Sequence, residues 1–253
     1  MIRNRLIQNA RKVDKFLINY LKKQDRSLLI SPMKYGVISG GKKIRSTIIF
    51  DLGKIFNLSK KELINVCASV ECIHSYSLIH DDLPCMDDDK IRRGKPATHI
   101  KFGEASAVLA GNSLLTLAFE IIADKNYSIN SKSKNEIIRS LAFCSGHTGI
   151  AGGQELDLKF ENKKKNFKQI INMQKKKTGK LFNFCLYAVG VLANKNNKDK
   201  FFLSSLGEDI GLLFQFADDF LDIMGSKKLV GKPIKKDNKK GKSTLVSLVG
   251  YKK

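Results

Sequence analysis

Two acidic patches set into apolar, helix-patterned sequence constrain this chain more than any other feature. Asp81-Asp82-Leu83-Pro84-Cys85-Met86-Asp87 ends one apolar stretch and Asp218-Asp219-Phe220-Leu221-Asp222 ends another, in a chain whose formal net charge is +22. Carboxylates this close repel, and each raises the pKa of its neighbours unless a cation neutralises the set. Spacings of three and four residues put side chains on one side of a helix. His74, Ser77 and Asp81 form one such line, and Gly211, Gln215, Asp218 and Asp222 form another. A fold that accommodates both lines brings two helices to one internal cavity. Oxygen donors without a matching His or Cys framework suit Mg2+, which binds through a few carboxylates plus substrate phosphates. The pattern therefore predicts a metal–diphosphate site between two helices. A zinc site from Cys72 and His74 lacks a second half.

Apolar residues recur at helical spacing almost everywhere, and strand-like alternation is nearly absent. Helices are expected over about 2–23, 43–56, 60–80, 104–123, 134–148, 168–193 and 199–224, giving one all-α domain over 1–253. Phe202, Leu206, Ile210, Leu213, Ala217, Phe220 and Met224 make an apolar stripe expected to face the core. Breaks fall at Ser31-Pro32, Gly40-Gly41, Arg92–Pro96, Asn126–Asn135 and Asn194–Lys200, and the lysine-dense Ser226–Lys242 reads as a mobile loop. No apolar run approaches the ~18–20 residues of a membrane span, and no signal-peptide pattern opens the sequence. Five scattered cysteines indicate reduced thiols in a cytoplasmic protein.

The positive charge raises a competing class, nucleic-acid or membrane-surface binding. Its makeup argues against specific nucleic-acid recognition. Of 46 basic residues only eight are arginine, and base readout favours the arginine fork. Excess Lys, Ile and Asn together reads as compositional drift of an AT-rich coding sequence.

Phosphates need cationic and N–H donors, and several segments offer them. Gly40-Gly41-Lys42-Lys43-Ile44-Arg45 opens a helix, where amides and dipole favour an anion. Arg92-Arg93 follows the first acidic patch and can grip phosphate oxygens bidentately. Lys177-Thr178-Gly179-Lys180 lies within a helix, and Lys232 and Lys242 flank the lysine-dense loop. A P-loop match from Gly36 to Lys42 fails, since Lys43 stands where Ser or Thr would bind Mg2+ and no strand precedes it.

These segments in this order, together with Glu71–Asp89, Lys101-Phe102-Gly103-Glu104-Ala105, Gly152-Gly153-Gln154-Glu155-Leu156-Asp157-Leu158, Phe214–Asp222 and Gly241-Lys242-Ser243-Thr244, resemble the trans-isoprenyl diphosphate synthases, nearest the bacterial farnesyl diphosphate synthases. The match runs from about residue 35 to 245. It implies a helical bundle around a deep cavity, a homodimer, and Mg2+ as cofactor, three ions per site. Asp81, Asp82 and Asp87, with Asp218, Asp219 and Asp222, match its metal-binding aspartates. Lys42, Arg45, His74 and Arg93 match the isopentenyl-diphosphate pocket, and Arg92, Lys177, Thr178, Gln215, Lys232 and Lys242 match positions facing the allylic diphosphate. Asp81, Asp82, Asp87, Lys177 and Asp218 are the expected catalytic set.

Three departures stand out. Ser46 replaces a usual proline, Ala217 stands where Gln is common, and the chain ends at Lys253, so the family's C-terminal helices are expected to be missing. The expected activity is condensation of dimethylallyl and geranyl diphosphates with isopentenyl diphosphate to farnesyl diphosphate. Alternatives are geranyl or geranylgeranyl diphosphate synthesis, a decayed helical scaffold, or a basic nucleic-acid binder. A helix rises about 1.5 Å per residue, so Tyr76 and Ser77 lie roughly 6–8 Å below Asp81 and are expected to floor the cavity. In the resembled family a bulky aromatic at the position of Tyr76 accompanies C15 products.

Overall fold

The computed structural model describes residues 2–24, 26–38 and 40–224, with side chains omitted at 222–224. Asp222, Lys232, Lys242 and the loop expected at Ser226–Lys242 lie outside the described side chains or residues.

Among the described residues the chain is helical apart from one short ribbon. The α-helices are α1 (Ile2–Lys22), α2 (Ile30–Ile38), α3 (Ile44–Ile55), α4 (Lys60–Asp81), α5 (Thr98–Phe102), α6 (Glu104–Ala123), α7 (Ser131–Ser145), α8 (Ile150–Phe160), α9 (Phe167–Gln174), α10 (Lys180–Leu192) and α11 (Asn197–Met224). A π-helical turn, Lys175–Gly179, joins α9 to α10, and strands β1 (Ile91–Arg92) and β2 (Lys95–Pro96) pair antiparallel.

Helix α4 lies at the centre. Ser59 and Glu62 start it with a reciprocal capping box, a device worth about 1 kcal/mol. From Leu63 to Ile79 it is buried on nearly every side, as expected of a helix with no solvent stripe. It packs on α3, α6 and α10, and α10 packs in turn on α11. The two acidic helices therefore flank α10. One large core takes residues from α1, α2, α3, α4, α6, α7 and α10. A smaller cluster, Ile170 and Met173 with Leu156, Leu212 and Phe216, lies among α8, α9 and α11.

Helix α6 is long and apolar enough to cross a membrane by length and composition, where no apolar run of that length was expected. Its Ala107, Ala110, Leu114, Ala118, Ile121 and Ile122 are buried, and it packs on α4. The stripe expected to anchor α11 is not its packing face. Phe202 is 64% exposed and Leu213 68% exposed, whereas Leu203, Gly207, Gly211 and Asp219 are buried. Backbone proximity decides this: a Cβ on Gly207 would meet the Phe182 carbonyl oxygen at 2.6 Å, and one on Gly211 would meet Gly179 Cα at 2.7 Å. Glycines bring α11 onto α10, and glycine carries no apolar signal.

Candidate active site

The first acidic patch sits where α4 gives way to a turn. Asp81 is its last residue, Asp82 its C-cap, and the Asp87 N–H returns to the Asp81 carbonyl at 2.8 Å. The Asp82 carboxylate is 2% exposed and accepts from the Arg92 guanidinium, at 3.0 Å and 3.1 Å from Nε and by a further short bond from Nη2. Arg92 also reaches Asp89 at 3.4 Å. In this arrangement Arg92 is directed at Asp82, where an allylic-diphosphate contact was expected of it, and Asp82 is engaged by arginine. Asp81 is the more open of the adjacent pair.

Arg93 turns the other way. The ribbon's two-residue turn has positive φ at both centres, Arg93 at 53° and Gly94 at 73°, the signature of a type I′ hairpin turn. A bulky residue in that region stores strain, a common feature of functional sites. Arg93 donates to the Gly40 carbonyl at 2.7 Å. Gly41, at φ 98°, leaves it room, since a Cβ there would meet the Arg93 guanidinium carbon at 2.7 Å. The paired glycines thus serve an arginine from another segment.

Arg45 and His74 join Arg93, and Lys42 is exposed on the adjoining loop. The Arg45 guanidinium stacks over the Phe182 ring, 4.7 Å from its centroid, and its buried Nε has no hydrogen-bond acceptor. Burial pushes the His74 pKa well below its ordinary value, and Arg45, Arg93, Lys43 and Arg92 push it the same way. The imidazole is therefore neutral beside a cluster of cations, a strongly positive corner that an anion would neutralise. Lys43, beside Lys42, is buried against the Val37 carbonyl at 2.8 Å and Asp14 at 3.2 Å, and so ties the glycine loop to α1.

The second acidic patch is built differently. Asp219 is 3% exposed, and two glutamines hold it: Gln174 Nε2 donates to one oxygen at 3.1 Å and Gln215 Nε2 to the other at 2.8 Å. Thr178 donates to Gln215 Oε1 at 2.9 Å, which connects the Lys-Thr segment to the acids. Lys177 is paired with Asp157 at 2.6 Å. Both Lys177 and Thr178 lie in the π turn, a distortion frequent at functional sites and one that the expected continuous helix over 168–193 did not include. Close packing accompanies it, because a Cβ on Gly153 would sit 2.2 Å from the Lys177 backbone nitrogen. Asp218 is half-buried.

Sequence reasoning assigned no role to Glu71, Gln154, Asp157 or Gln174. Gln154 is buried, and neither atom of its amide finds a partner; it lies one turn before Asp157 on α8. The stretch Gly152–Leu158 had been matched as a motif, and spacing alone does not reveal its inward face. Ala217 is exposed, and the hydrogen bonds that brace the patch come from Gln174 and Gln215.

Tyr76 is buried, its hydroxyl donates to the Ser145 carbonyl at 3.3 Å, and its ring meets His80 edge-on at 5.7 Å. Burial, then the Asp81 carboxylate, pushes its pKa up to about 12, which puts the phenol within electrostatic reach of the acidic patch. Ser77 bonds back to the His74 carbonyl at 3.0 Å.

The donor set fits a hard divalent cation. Among the described residues no three His, Cys, Asp or Glu side chains converge to cage an ion alone. Two separate carboxylate patches, each with a more open leading aspartate, match an ion that completes its shell with substrate phosphates and water.

The chain matches a family model described as polyprenyl synthetase over residues 26–253. It is 41% identical to the farnesyl diphosphate synthase of Escherichia coli over 88% of this chain and 75% of that protein. Identity with the Bacillus subtilis farnesyl diphosphate synthase is 38%, over 96% and 83%. Among solved structures it is similar to an FPP/GFPP synthase from Zymomonas mobilis, with a TM-score of 0.86 and 36% identity over 99% of this chain and 87% of that one. It is also similar to a Helicobacter pylori geranyltransferase complexed with magnesium and isoprenyl diphosphate, with a TM-score of 0.82 and 30% identity over 97% and 82%.

Proposed function

The chain belongs to the polyprenyl synthetase family, and we propose that it is a trans-prenyltransferase that condenses dimethylallyl and geranyl diphosphates with isopentenyl diphosphate to give farnesyl diphosphate. The observation that carries this reading is the division of labour around α10. Two carboxylate patches with Lys177 and Thr178 suit a metal-bound diphosphate, and a separate cationic corner of Arg45, Arg93 and Lys42 with His74 suits a second one.

Mg2+, expected at three ions per site, supplies positive charge at the leaving diphosphate when bound to Asp81, Asp87, Asp218 and Asp222. Asp82 and Asp219 brace the patches from behind. Lys177, fixed by Asp157, and Thr178, fixed by Gln215, hold phosphate oxygens of the allylic substrate. As its C–O bond breaks, the electron pair leaves with pyrophosphate and an allylic cation remains, stabilised by charge placed in advance. Arg45, Arg93, His74 and Lys42 hold isopentenyl diphosphate so that its double bond forms the new C–C bond to that cation. The proton then lost goes to the released pyrophosphate. An apolar cavity floored by Tyr76 excludes water, which would otherwise trap the cation.

A homodimer fits the exposed Leu109 on α6 and Phe143 on α7, apolar surface that a second copy would cover. Five free cysteines support a cytoplasmic setting. The test is to incubate purified protein with isopentenyl and dimethylallyl diphosphates and Mg2+ and resolve the products by chain length. C15 diphosphate as the main product supports the reading, and no Mg2+-dependent condensation refutes it.

A further inference from the structure

A buried carboxylate that the proposed mechanism does not use is bonded to the residue that follows Arg45. Glu71 is 2% exposed, one turn before His74 on α4. Its Oε1 accepts from Ser46, at 3.3 Å from the backbone nitrogen and 2.7 Å from the hydroxyl. The same hydroxyl is 3.2 Å from the Cys67 carbonyl, the longer of its two options. Ser46 directly follows Arg45 and stands where the resembled family has proline, which offers neither an N–H nor a hydroxyl. In this chain, then, the residue beside Arg45 fixes a carboxylate in place.

The cations around it have mechanical supports of their own. Arg45 stacks on Phe182, Arg93 bonds the Gly40 carbonyl, and Lys43 bonds Val37 and Asp14. Burial drives the Arg45 and Arg93 guanidinium groups toward their neutral forms, and Glu71 is the strongest charge opposing this at both. Its contribution is one of charge more than of attachment.

We propose that Glu71, held by Ser46, is the resident counter-charge of the isopentenyl-diphosphate corner. It balances Arg45 and Arg93 while the corner is empty, Lys43 having its own partner in Asp14, and moderates how tightly the arriving diphosphate is held. Without it the cations stay in place but repel one another, so the empty protein loses stability and binds the anion more tightly. This rests on reading the corner as the isopentenyl-diphosphate site. Glu71 acts through the cations and is a positioning residue, not a catalytic one.

Glu71→Gln removes the charge and still accepts from Ser46, whereas Glu71→Asp keeps the charge at shorter reach. The full chain of each is titrated calorimetrically with isopentenyl diphosphate in the presence of a chelator, and melted with and without that ligand. Glu71→Gln should melt lower when empty, recover with ligand, and bind about tenfold tighter or more, since one unit charge at a few ångströms changes affinity several-fold even at the dielectric of water and far more near a protein surface. Glu71→Asp should stay within about twofold of wild-type affinity because its charge is intact. Unchanged or weaker binding by Glu71→Gln overturns the inference, as does a Glu71→Gln protein that stays unfolded in excess isopentenyl diphosphate. A wild type that condenses its substrates while Glu71→Gln fails these tests refutes this inference alone. A wild type that neither binds nor condenses isopentenyl diphosphate refutes the functional reading itself.

Discussion

The two acidic patches look alike in sequence and are supported by opposite means. At the end of α4 the second aspartate, Asp82, is neutralised by Arg92, a full charge borrowed from the ribbon. On α11 the second aspartate, Asp219, is held by the neutral amides of Gln174 and Gln215. The contrast is between a charged partner and amides that orient. The α4 patch already contains a cation, the Arg92 guanidinium. On α11 the two amides orient Asp219 from α11 itself and from the end of α9. In both, the trailing acid is braced and the leading acid, Asp81 or Asp218, is left more open.

The largest expected effects fall on those leading acids. Asp81→Ala and Asp218→Ala should each lower kcat by about three orders of magnitude or more, the scale of losing transition-state charge stabilisation. Chelator should abolish turnover and Mg2+ restore it. Steady-state assays settle this, and near-normal turnover in either variant would break the symmetry between the patches.

The trailing acids should separate the two patches. Asp82→Asn removes the carboxylate that grips Arg92 and leaves it part-buried beside Asp89 and Asp81, and breaking such a pair costs about 3 kcal/mol or more. Asp219→Asn leaves one of the two amide donors facing an NH2 group and should cost less, about 2 kcal/mol, within the range for a hydrogen bond to a charged group. Urea denaturation of the two variants measures the difference, and the reverse order would contradict the roles assigned to arginine and glutamine.

Tyr76 tests what lies beneath the α4 patch, which has no counterpart proposed for α11. Tyr76→Ala should keep turnover within about tenfold, because Tyr76 is not among the charge-bearing groups of the mechanism, and should extend product beyond C15. An active variant that still stops at C15 would assign the floor to another residue.

The smallest effect concerns His74, again peculiar to α4. Its folded pKa lies well below the ordinary 6.5, so below that pH the unfolded chain takes up a proton that the folded chain refuses. Stability should therefore fall as pH drops below 6.5, by at most about 1.4 kcal/mol per unit for one group, and level off below the folded pKa. Thermal melts of wild type and His74→Gln across pH 5 to 7 should show a shallower slope in the variant; identical slopes would mean that His74 is not held neutral.

The long helices were legible because their apolar residues repeat over many turns, and α1, α3, α4, α6 and α11 lie within two residues of expectation. The short α2 and α8 were not. Pro32 reads as a break although it sits in the first turn, where proline is tolerated, and Gly152-Gly153 dilutes the helical signal of α8. The apolar stripe of α11 misled because the packing face is written in Gly207 and Gly211, whose role is backbone approach. The acids, Lys177 and Thr178 were found from spacing and resemblance. Their supports were not, because Gln174–Asp219, Asp157–Lys177 and Ser46–Glu71 are contacts between distant segments, and the π turn leaves no periodic mark.

The central claim is that both patches act on one metal-bound diphosphate. A double-mutant cycle tests it most directly: Asp81→Asn, Asp218→Asn and the double variant, each titrated with a non-ionising allylic diphosphate analogue in Mg2+. Groups that act on one ligand couple, whereas independent groups add. The double variant should bind little worse than either single variant. Losses that simply add would mean the two patches hold different things, and would contradict the account.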